Sequence, residues 1–429
     1  MPVTWSQIHA ALGESPTELT FDMVKAAVDQ KVTETDDLDW KAALPGKEEP
    51  LLQEYAKDIA AMANTRGGLI VYGVEEERGT GRAKAIASVD ISETAQRRLR
   101  KLAISRLHPH VAGLQVIPLA SADGSETVLV LSIPRSPDAP HIIGQGEKLG
   151  VPYRHGPETE WMREPDLERA YAERFAARTM ASTRLTDMVG EVSEQLDLEQ
   201  AAWIVGVATP RTPLPAIAGP PARGTVTAIL ESVLKRTLEI VPTERYDRFQ
   251  VVRELGSAAL NPGVGLRRWV VETNPGLEPD RRADFVRVEL HHDGSIALAA
   301  ALEGWYGERQ EGTNRVPAAM VESFTADFVA TAETYGRHLG SQGVLTMRVE
   351  LVRDEEAGWP FSVVSDRTVG GFSTNKLQVP AGARTVRRFR PITTEISTAA
   401  DLENLQSVAR AMAEDILHQF NMTGLSLHR

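Results

Sequence analysis

Apolar residues recur at helical spacing in the first hundred residues of the chain. The pattern predicts short helices over residues 5–12 and 19–28 and longer helices over residues 51–62 and 92–107. Between the two longer helices, residues 69–74 form an almost unbroken apolar run that contains Val, Ile and Tyr. These residue types favour strands, so we interpret the run as a buried strand.

A hairpin pattern follows the second of these longer helices. Residues 111–119 and 127–133 alternate or run apolar on either side of the turn Ala122-Asp123-Gly124-Ser125. Residues 151–154 then predict a short edge strand, and residues 165–177 predict a helix. The order of helix, strand, helix and hairpin is typical of an α+β domain.

The second half of the chain mixes the two kinds of element. Helical patterns run to about residue 208, and the five prolines between residues 209 and 223 predict a boundary or an ordered loop. The pattern beyond them predicts a hairpin over residues 284–302, helices over residues 318–339 and 399–420, and a strand over residues 343–352.

These patterns divide the chain into four predicted segments. They are a short helical segment (1–30), an α+β domain (31–178), a helical connector with a Pro-rich linker (179–224) and a second α+β domain of unassigned role (225–429). The chain has 429 residues, and a single hydrophobic core stops growing well below that length. Two domains are therefore expected.

Composition narrows the chemistry that is open to the chain. It contains no cysteine, which excludes disulfides, thiolate zinc sites and cysteine nucleophiles. No stretch approaches the roughly 18 apolar residues of a membrane span, and the N-terminus lacks an export signal, so we expect a cytoplasmic protein without a membrane partner. Because the net charge is −12, any binding of nucleic acid requires a local basic patch.

Three acidic residues are the sharpest candidates for catalysis. Glu34 and Asp39 precede the first long helix, and Glu75 follows the predicted strand. Carboxylates that gather at one place repel one another unless a cation offsets them, which is how sites that cleave phosphodiesters hold Mg²⁺ or Mn²⁺. Lys41 lies beside them and is placed to stabilise charge on a phosphate. The alternative is that both acidic stretches simply face water.

A glycine-rich turn is a candidate for phosphate binding. Asn64, Thr65, Gly67 and Gly68 follow the first long helix, and turns of this kind present backbone N–H groups to anions. The alternative is that the two glycines only end the helix in the left-handed conformation. The sequence lacks the P-loop pattern, which argues against an ATPase of that type.

Basic residues concentrate on the helix predicted over residues 92–107. We expect them to contact the nucleic-acid backbone, although a solvated helix face explains them equally well. The candidates on this helix are Arg97, Arg98, Arg100, Lys101 and Arg106. Arg154, in the predicted edge strand, is a further candidate.

An ordered set of short motifs runs through residues 34–175. They are Asp39-Trp40-Lys41, the run Ala-Met-Ala-Asn-Thr-Arg-Gly-Gly at residues 61–68, Tyr72-Gly73-Val74-Glu75, Pro109, Ile133-Pro134 with Ser136 and Pro140, and Tyr153-Arg154 with Gly156. In this order the motifs resemble the Schlafen AlbA-like domain, a family also catalogued as a divergent AAA-type ATP-binding domain. The resemblance implies a small mixed sheet with flanking helices.

The resemblance also implies an activity. In the nuclease members of the family, three acidic residues form a metal-dependent site that cleaves structured RNA, notably transfer RNA. By motif position these residues correspond to Glu34, Asp39 and Glu75, with Mg²⁺ or Mn²⁺ as the cofactor. Asp39 stands where the family usually has Glu, and Glu75 stands where it usually has Asp. Other members are catalogued as DNA-binding or ATP-binding, so ATP is a second candidate ligand.

Three readings of the function stay open at this point. The leading one is a metal-dependent endoribonuclease in phage defence or stress response, with RNA preferred over DNA as partner. The second is a non-catalytic DNA- or ATP-binding transcriptional regulator, and the third is an interaction module of a defence complex. Vertebrate nucleases of the family pair two such domains in one chain, whereas this chain shows one, so we expect a homodimer.

Overall fold

The computed structural model divides the chain into two compact units. Unit 1 is Met1–Thr179 and unit 2 is Met180–Arg429. The structure describes residues 5–15, 17–145, 148–211, 221–241, 250–273, 286–302, 311–339, 343–369, 372–398 and 400–426. Both units combine helices with strands, which confirms the predicted α+β class.

The elements of unit 1 alternate along the chain. The helices are α1 (Gln7–Leu12), α2 (Phe21–Asp29), α3 (Glu49–Ala63), α4 (Glu93–Arg106) and α5 (Glu164–Ser193), which continues into unit 2. The strands are β1 (Leu38–Lys41), β2 (Gly67–Tyr72), β3 (Val74–Glu77), β4 (Arg82–Ile86), β5 (Gln115–Ala120), β6 (Thr127–Pro134), β7 (Ile143–Gln145), β8 (Lys148–Gly150), β9 (Pro152–His155) and β10 (Glu158–Trp161).

Four strands of unit 1 form a mixed sheet in the order β1-β2-β6-β5. β1 and β2 run parallel, whereas β6 runs antiparallel to both β2 and β5. Gly67 and Gly68 begin β2 with φ values of +80° and +150°. A Cβ atom on Gly68 would lie 2.5 Å from the carbonyl oxygen of Asp37, so only glycine lets the chain approach this closely.

The core of unit 1 is divided between the two faces of this sheet. Leu69 and Val71 point to one face, where they pack with Trp40 and with apolar residues of α1 and α2. Ile70 and Tyr72 point to the other face, where α3 and α4 pack. The division follows from the alternation of side chains along a strand. The helices predicted as a separate N-terminal segment therefore complete one half of this core.

Two hairpins of unit 1 carry the predicted site residues Arg154 and Glu75. In the β9–β10 hairpin, Trp161 pairs with Pro152 and Thr159 pairs with Arg154. In the β3–β4 hairpin, Glu75 pairs with Ala85, and the register shifts immediately after this pair.

Unit 2 begins with the second half of α5 and continues with strands and three more helices. The helices are α6 (Arg223–Ile240), α7 (Ala318–His338) and α8 (Leu402–His418), and a 3₁₀ segment covers Val252–Leu260. The strands are β11 (Trp203–Pro210), β12 (Gly263–Gly265), β13 (Arg268–Glu272), β14 (Val286–His291), β15 (Ile296–Ala301), β16 (Asn314–Pro317), β17 (Val344–Val352), β18 (Phe361–Val369), β19 (Phe372–Gln378) and β20 (Ile392–Ser397).

An antiparallel sheet of seven strands organises unit 2, in the order β12-β13-β14-β15-β11-β17-β20. Helices α6, α7 and α8 contribute to the large core on one face. On the other face, Leu185 and Val189 of α5 pack against small residues of β15 such as Ala297 and Ala299. Both faces of the central strands are therefore buried.

The prediction of helix up to residue 208 is wrong. The helix ends at Ser193, and β11 takes its place as a strand near the centre of the large sheet. All eight residues of β11 are buried because helices cover the sheet on both sides. A strand buried on both faces shows no alternation of polar and apolar residues, so its pattern cannot be distinguished from that of a buried helix.

Other predictions for the second half are confirmed where the structure describes them. β14 and β15 form the predicted antiparallel hairpin, and β17 covers the predicted strand at residues 343–352. α7 and α8 cover most of the two predicted helices. Residues 284 and 285 and the Pro-rich residues 212–220 lie outside the described residues. Residues 179–224, predicted as a connector, instead contribute β11 to the core of unit 2.

Helix length and polarity bear on membrane association. α5 and α7 both exceed the length of a typical span, but they carry charged residues along their length. Within the described parts of the chain, no helix combines the length and the apolar character that a membrane crossing needs.

We predict that Leu298→Ala lowers the free energy of unfolding of unit 2 by about 2–5 kcal/mol, because it opens a cavity in the core. Leu298 is 0% exposed in β15, whereas Leu266 is 87% exposed, so Leu266→Ala is the matched control. Urea denaturation followed by circular dichroism measures both. Equal effects of the two substitutions would contradict this assignment of the core.

Candidate functional site

Strand β1 places Asp39 and Lys41 on one face of the sheet of unit 1. The two residues alternate with Leu38 and Trp40, which are buried in the core shared with α1 and α2. Because successive side chains of a strand point to opposite faces, Asp39 and Lys41 face the side on which α3 packs. A charged pair therefore lies against a helix.

The carboxylate of Asp39 is buried between two cations. Asp39 is 3% exposed, and its Oδ2 atom lies 3.0 Å from Nζ of Lys41 and 3.1 Å from a guanidinium nitrogen of Arg154. Arg154 itself is 7% exposed, and it also donates a hydrogen bond to the carbonyl oxygen of Pro157 at 2.6 Å. Its positive charge is thus directed at Asp39 from inside the fold.

Glu34 lies next to Asp39. Its Oε1 atom accepts a hydrogen bond from the backbone N–H of Trp40 at 2.8 Å, and its carboxyl group is within hydrogen-bonding reach of the Asp39 carboxylate. Burial, followed by the contact with Asp39, raises the pKa of Glu34 to about 8. Glu34 therefore retains its proton at neutral pH.

Asp58 of α3 joins this site, although the sequence analysis did not select it. It is buried, and its Oδ2 atom lies 3.6 Å from Nζ of Lys41. Burial raises the pKa of Asp58, and the charge of Lys41 only partly opposes that effect. Asp58 follows Tyr55 by three residues and precedes Met62 by four, so a carboxylate within the apolar face of α3 was the signal that could have revealed it.

Lys41 responds to the same charges. Burial lowers the pKa of its ammonium group, but the neighbouring charges of Asp39 and Asp58 outweigh burial and hold the pKa above its ordinary value. Lys41 is therefore charged at neutral pH.

Glu75 is not among the groups that raise the pKa of Glu34. The backbone N–H of Glu34 donates to the carbonyl oxygen of Gly81, immediately before β4, whereas Glu75 pairs with Ala85 near the other end of that strand. The side chain of Glu75 is half exposed and forms an ion pair with Lys84 at 3.2 Å. Glu76, the next residue, is the one whose charge contributes to the raised pKa of Glu34.

The residues present do not fit the Mg²⁺ or Mn²⁺ site that the resemblance implies. No group of three His, Cys, Asp or Glu side chains within the described residues could hold a metal ion. In addition, the charge of Asp39 is already balanced by Lys41 and Arg154. A metal ion would have to compete with these two cations and with the proton that Glu34 retains at neutral pH, so we derive no step through one.

The turn after α3 uses its polar side chains inside the fold. Asn64 donates to the carbonyl oxygens of His141 and Pro152 and accepts from the backbone N–H of His141 at 2.7 Å. The hydroxyl of Thr65 donates to Ala61 and accepts from the backbone N–H of Arg154 at 2.9 Å. These bonds connect the end of α3 to β9 and so help to hold Arg154 in place.

The basic residues of α4 are mostly paired within unit 1. Arg97 pairs with Glu93, and Arg98 donates to the carbonyl oxygens of Pro45 and Gly46. Arg106 binds both carboxylate oxygens of Glu49, at 2.6 and 2.9 Å. Arg100 donates to the side chain of Gln96 and to the carbonyl oxygen of Val116. Lys101 is exposed.

Comparison with known proteins bears on unit 1. Residues 34–163 match the family model described as Schlafen, AlbA_2. No curated protein matches the chain. Among solved structures, the DIP2311 protein from Corynebacterium diphtheriae is 19% identical, with a TM-score of 0.23 over 32% of this chain and 25% of that chain. The match therefore spans about a quarter of that protein.

We predict that the raised pKa of Glu34 makes unit 1 less stable as pH rises. In the native state Glu34 holds its proton up to about pH 8, whereas in the unfolded chain it releases the proton near its ordinary pKa of 4.5. The native state therefore binds more protons between these limits, and stability falls across this window. Glu34→Gln removes the effect. The melting temperature of this variant minus that of the wild type should therefore increase as pH rises from about 5 to 8.

The matched control is Glu18→Gln, which alters an exposed glutamate of unit 1. Its melting temperature should follow that of the wild type at every pH. If the difference in melting temperature between Glu34→Gln and the wild type stays constant from about pH 5 to 8, the pKa of Glu34 is not raised.

Proposed function

We propose that residues 34–163, which match the family model described as Schlafen, AlbA_2, have a nucleic-acid-related function, and that they form an endoribonuclease that acts on structured RNA such as transfer RNA. The observation that carries the proposal is the pair of carboxyl groups of Glu34 and Asp39. Cleavage of a phosphodiester requires one group that accepts a proton from the attacking oxygen and another that gives a proton to the leaving oxygen. A protonated Glu34 beside a second carboxyl group can supply both.

Three properties of the pair support this role. The pKa of Glu34, at about 8, lies close to neutral pH, where proton transfer in either direction is efficient. Lys41 is charged and about one-third exposed, so it can meet a phosphate as negative charge develops there. Arg154 and Asp58 hold Asp39 and Lys41 in position from the buried side.

A second candidate function is favoured by a different observation. Asp39 is almost fully buried, and two cations satisfy its charge, which is also what a purely structural ion pair would show. In that case the domain binds DNA or ATP without catalysis, as a transcriptional regulator does. An interaction module of a defence complex is the third reading, and unit 2 would then carry the partner surface.

The proposal has further parts that rest on the resemblance alone. RNA is preferred over DNA, two copies of the chain assemble into a homodimer, and the activity serves phage defence or stress response. The family model matches residues 34–163, and the resemblance implies that two such domains act together, which two copies of the chain would provide. Light scattering coupled to size-exclusion chromatography tests the dimer directly.

We predict that Glu34→Gln lowers the rate of cleavage of total transfer RNA by at least about 100-fold, because it removes the proton-transfer group and nearly preserves the shape of the side chain. Glu75→Gln should leave the rate within about threefold of the wild type, since loss of an exposed ion pair has little effect. Both variants are assayed with Mn²⁺, with Mg²⁺ and with a chelator.

The two variants, assayed with Mn²⁺, with Mg²⁺ and with a chelator, distinguish catalysis by the carboxyl pair from catalysis by a metal ion and from binding without cleavage. Loss of activity in Glu34→Gln but not in Glu75→Gln supports the carboxyl pair as the catalytic group. Loss in both, together with inhibition by the chelator, would contradict the pair and favour the acidic trio with a metal ion. Binding of RNA without cleavage by the wild type under all three conditions would favour the regulator. Asp39→Asn is a poor test, because it leaves Arg154 without its buried partner and is expected to destabilise unit 1 by about 3–5 kcal/mol.

We predict that the exposed part of α4 contributes to the affinity for nucleic acid. Lys101→Ala should weaken RNA binding and should reduce the slope of log K against log salt by about one, because one phosphate contact is lost. The control is Lys25→Ala, which removes an exposed lysine from α2 that is paired with Asp29. Fluorescence anisotropy at several salt concentrations measures both variants. An unchanged slope for Lys101→Ala would remove α4 from the binding surface.

A further inference from the structure

A cavity of unit 1 lies apart from the carboxyl pair and has no assigned role. Its volume is about 360 Å³, and it lies between α3, the end of α4 and the strands β7, β8 and β10. Its lining combines Trp161 and Leu149 with the polar side chains of Gln53, Ser105 and Arg106. The volume is at the lower end of the range of small-molecule sites, which run from about 300 to 1,000 Å³.

The position of Trp161 is built into the fold. Its indole ring packs against Gly150, where a Cβ atom would lie 2.4 Å from Cζ3 of the ring. Glycine at this position therefore makes room for the tryptophan. The ring is nevertheless 51% exposed, which leaves part of a large aromatic surface without protein contact at the cavity.

The polar residues of the cavity suit a planar, hydrogen-bonding ligand. The guanidinium group of Arg106 is fixed by its two bonds to Glu49, so it presents a flat cationic surface in a defined orientation. Gln53 offers an amide, and Ser105 offers hydroxyl lone pairs while it donates to Leu102. Unpaired bases are bound in this way, by stacking on aromatic rings or arginine planes and by hydrogen bonds along their edges.

The cavity and the carboxyl pair are connected by the β9–β10 hairpin. Trp161 pairs with Pro152, and Pro152 lies two residues before Arg154 on the same face of the strand. The two positions are therefore separated by about 7 Å along β9. The cavity is therefore lined by the same hairpin that carries Arg154, whose buried guanidinium group contacts Asp39.

We propose that this cavity binds one unpaired nucleobase of a nucleic-acid strand, stacked on Trp161. The inference rests on the proposed function, since it names the part of the substrate that the same unit recognises. It makes single-stranded or looped regions the preferred target, because a paired base in a duplex cannot enter a cavity of this size.

The test compares binding of two labelled RNA oligonucleotides, one single-stranded and one fully paired, by fluorescence anisotropy. All proteins carry Glu34→Gln so that the RNA stays intact. Trp161→Ala should weaken binding of the single strand by roughly 5- to 100-fold, the range expected for loss of one stacked base, and should leave binding of the duplex unchanged. Trp161→Phe keeps an aromatic ring and should restore most of the affinity.

Trp5→Ala is the matched control, because Trp5 is 48% exposed in the same unit and does not line the cavity. Equal binding of the single strand by the Trp161→Ala protein and its parent would overturn the proposal while leaving the proposed function intact. If the parent binds neither RNA, the proposed function itself fails. Adenosine monophosphate and the unlabelled oligonucleotide are each added as competitors. We expect adenosine monophosphate to displace the labelled RNA only at a far higher concentration than the unlabelled oligonucleotide needs. Displacement by adenosine monophosphate at the same concentration as the unlabelled oligonucleotide would assign the cavity to free nucleotides instead.

Discussion

The buried carboxylate of Asp39 is the constraint on which the rest of unit 1 depends. An isolated charge in a protein interior is strongly unfavourable, so Asp39 requires partners. Lys41 comes from the same strand, but Arg154 lies 115 residues further along the chain, and its ion pair with Asp39 connects β1 to β9. The hydrogen bonds of Asn64 and Thr65 fix the same strand to the end of α3. Residues that resemble a phosphate-binding turn thus complete the closure of the domain.

The same constraint sets the chemistry of the site. Arg154 and Lys41 lie against Asp39, and the neighbouring Glu34 is the group whose pKa is raised to about 8, first by burial and then by its contact with Asp39. In the proposed mechanism the pair supplies a proton donor and a proton acceptor in one place, with a charged lysine beside it. Among the described residues, no three acidic or histidine side chains are placed to hold a metal ion together, and Lys41 and Arg154 already lie against Asp39. Lys41 and Arg154 stabilise the fold by balancing the charge of Asp39, and the same two cations set the electrostatic potential at the site.

Much of unit 1 followed from sequence because its signals are local. The apolar run of Leu69, Ile70, Val71 and Tyr72 marks a strand, and the order of the motifs indicated the domain that the family model matches. The predicted contact of Glu34 with Asp39 needed only a short turn. The separation of Glu75 from that pair depends on the register of the β3–β4 hairpin, which no local pattern encodes. Asp58 and β11 were missed for a related reason, since their roles depend on which elements cover them in the folded protein.

The central claim is that unit 1 carries the nucleic-acid surface of this chain. The most direct test is photo-crosslinking of the full chain to transfer RNA that contains 4-thiouridine, followed by mapping of the crosslinked peptides. The account predicts crosslinks within residues 34–163, with peptides around Lys101 and Trp161 among them. Crosslinks confined to residues 180–429 would contradict it.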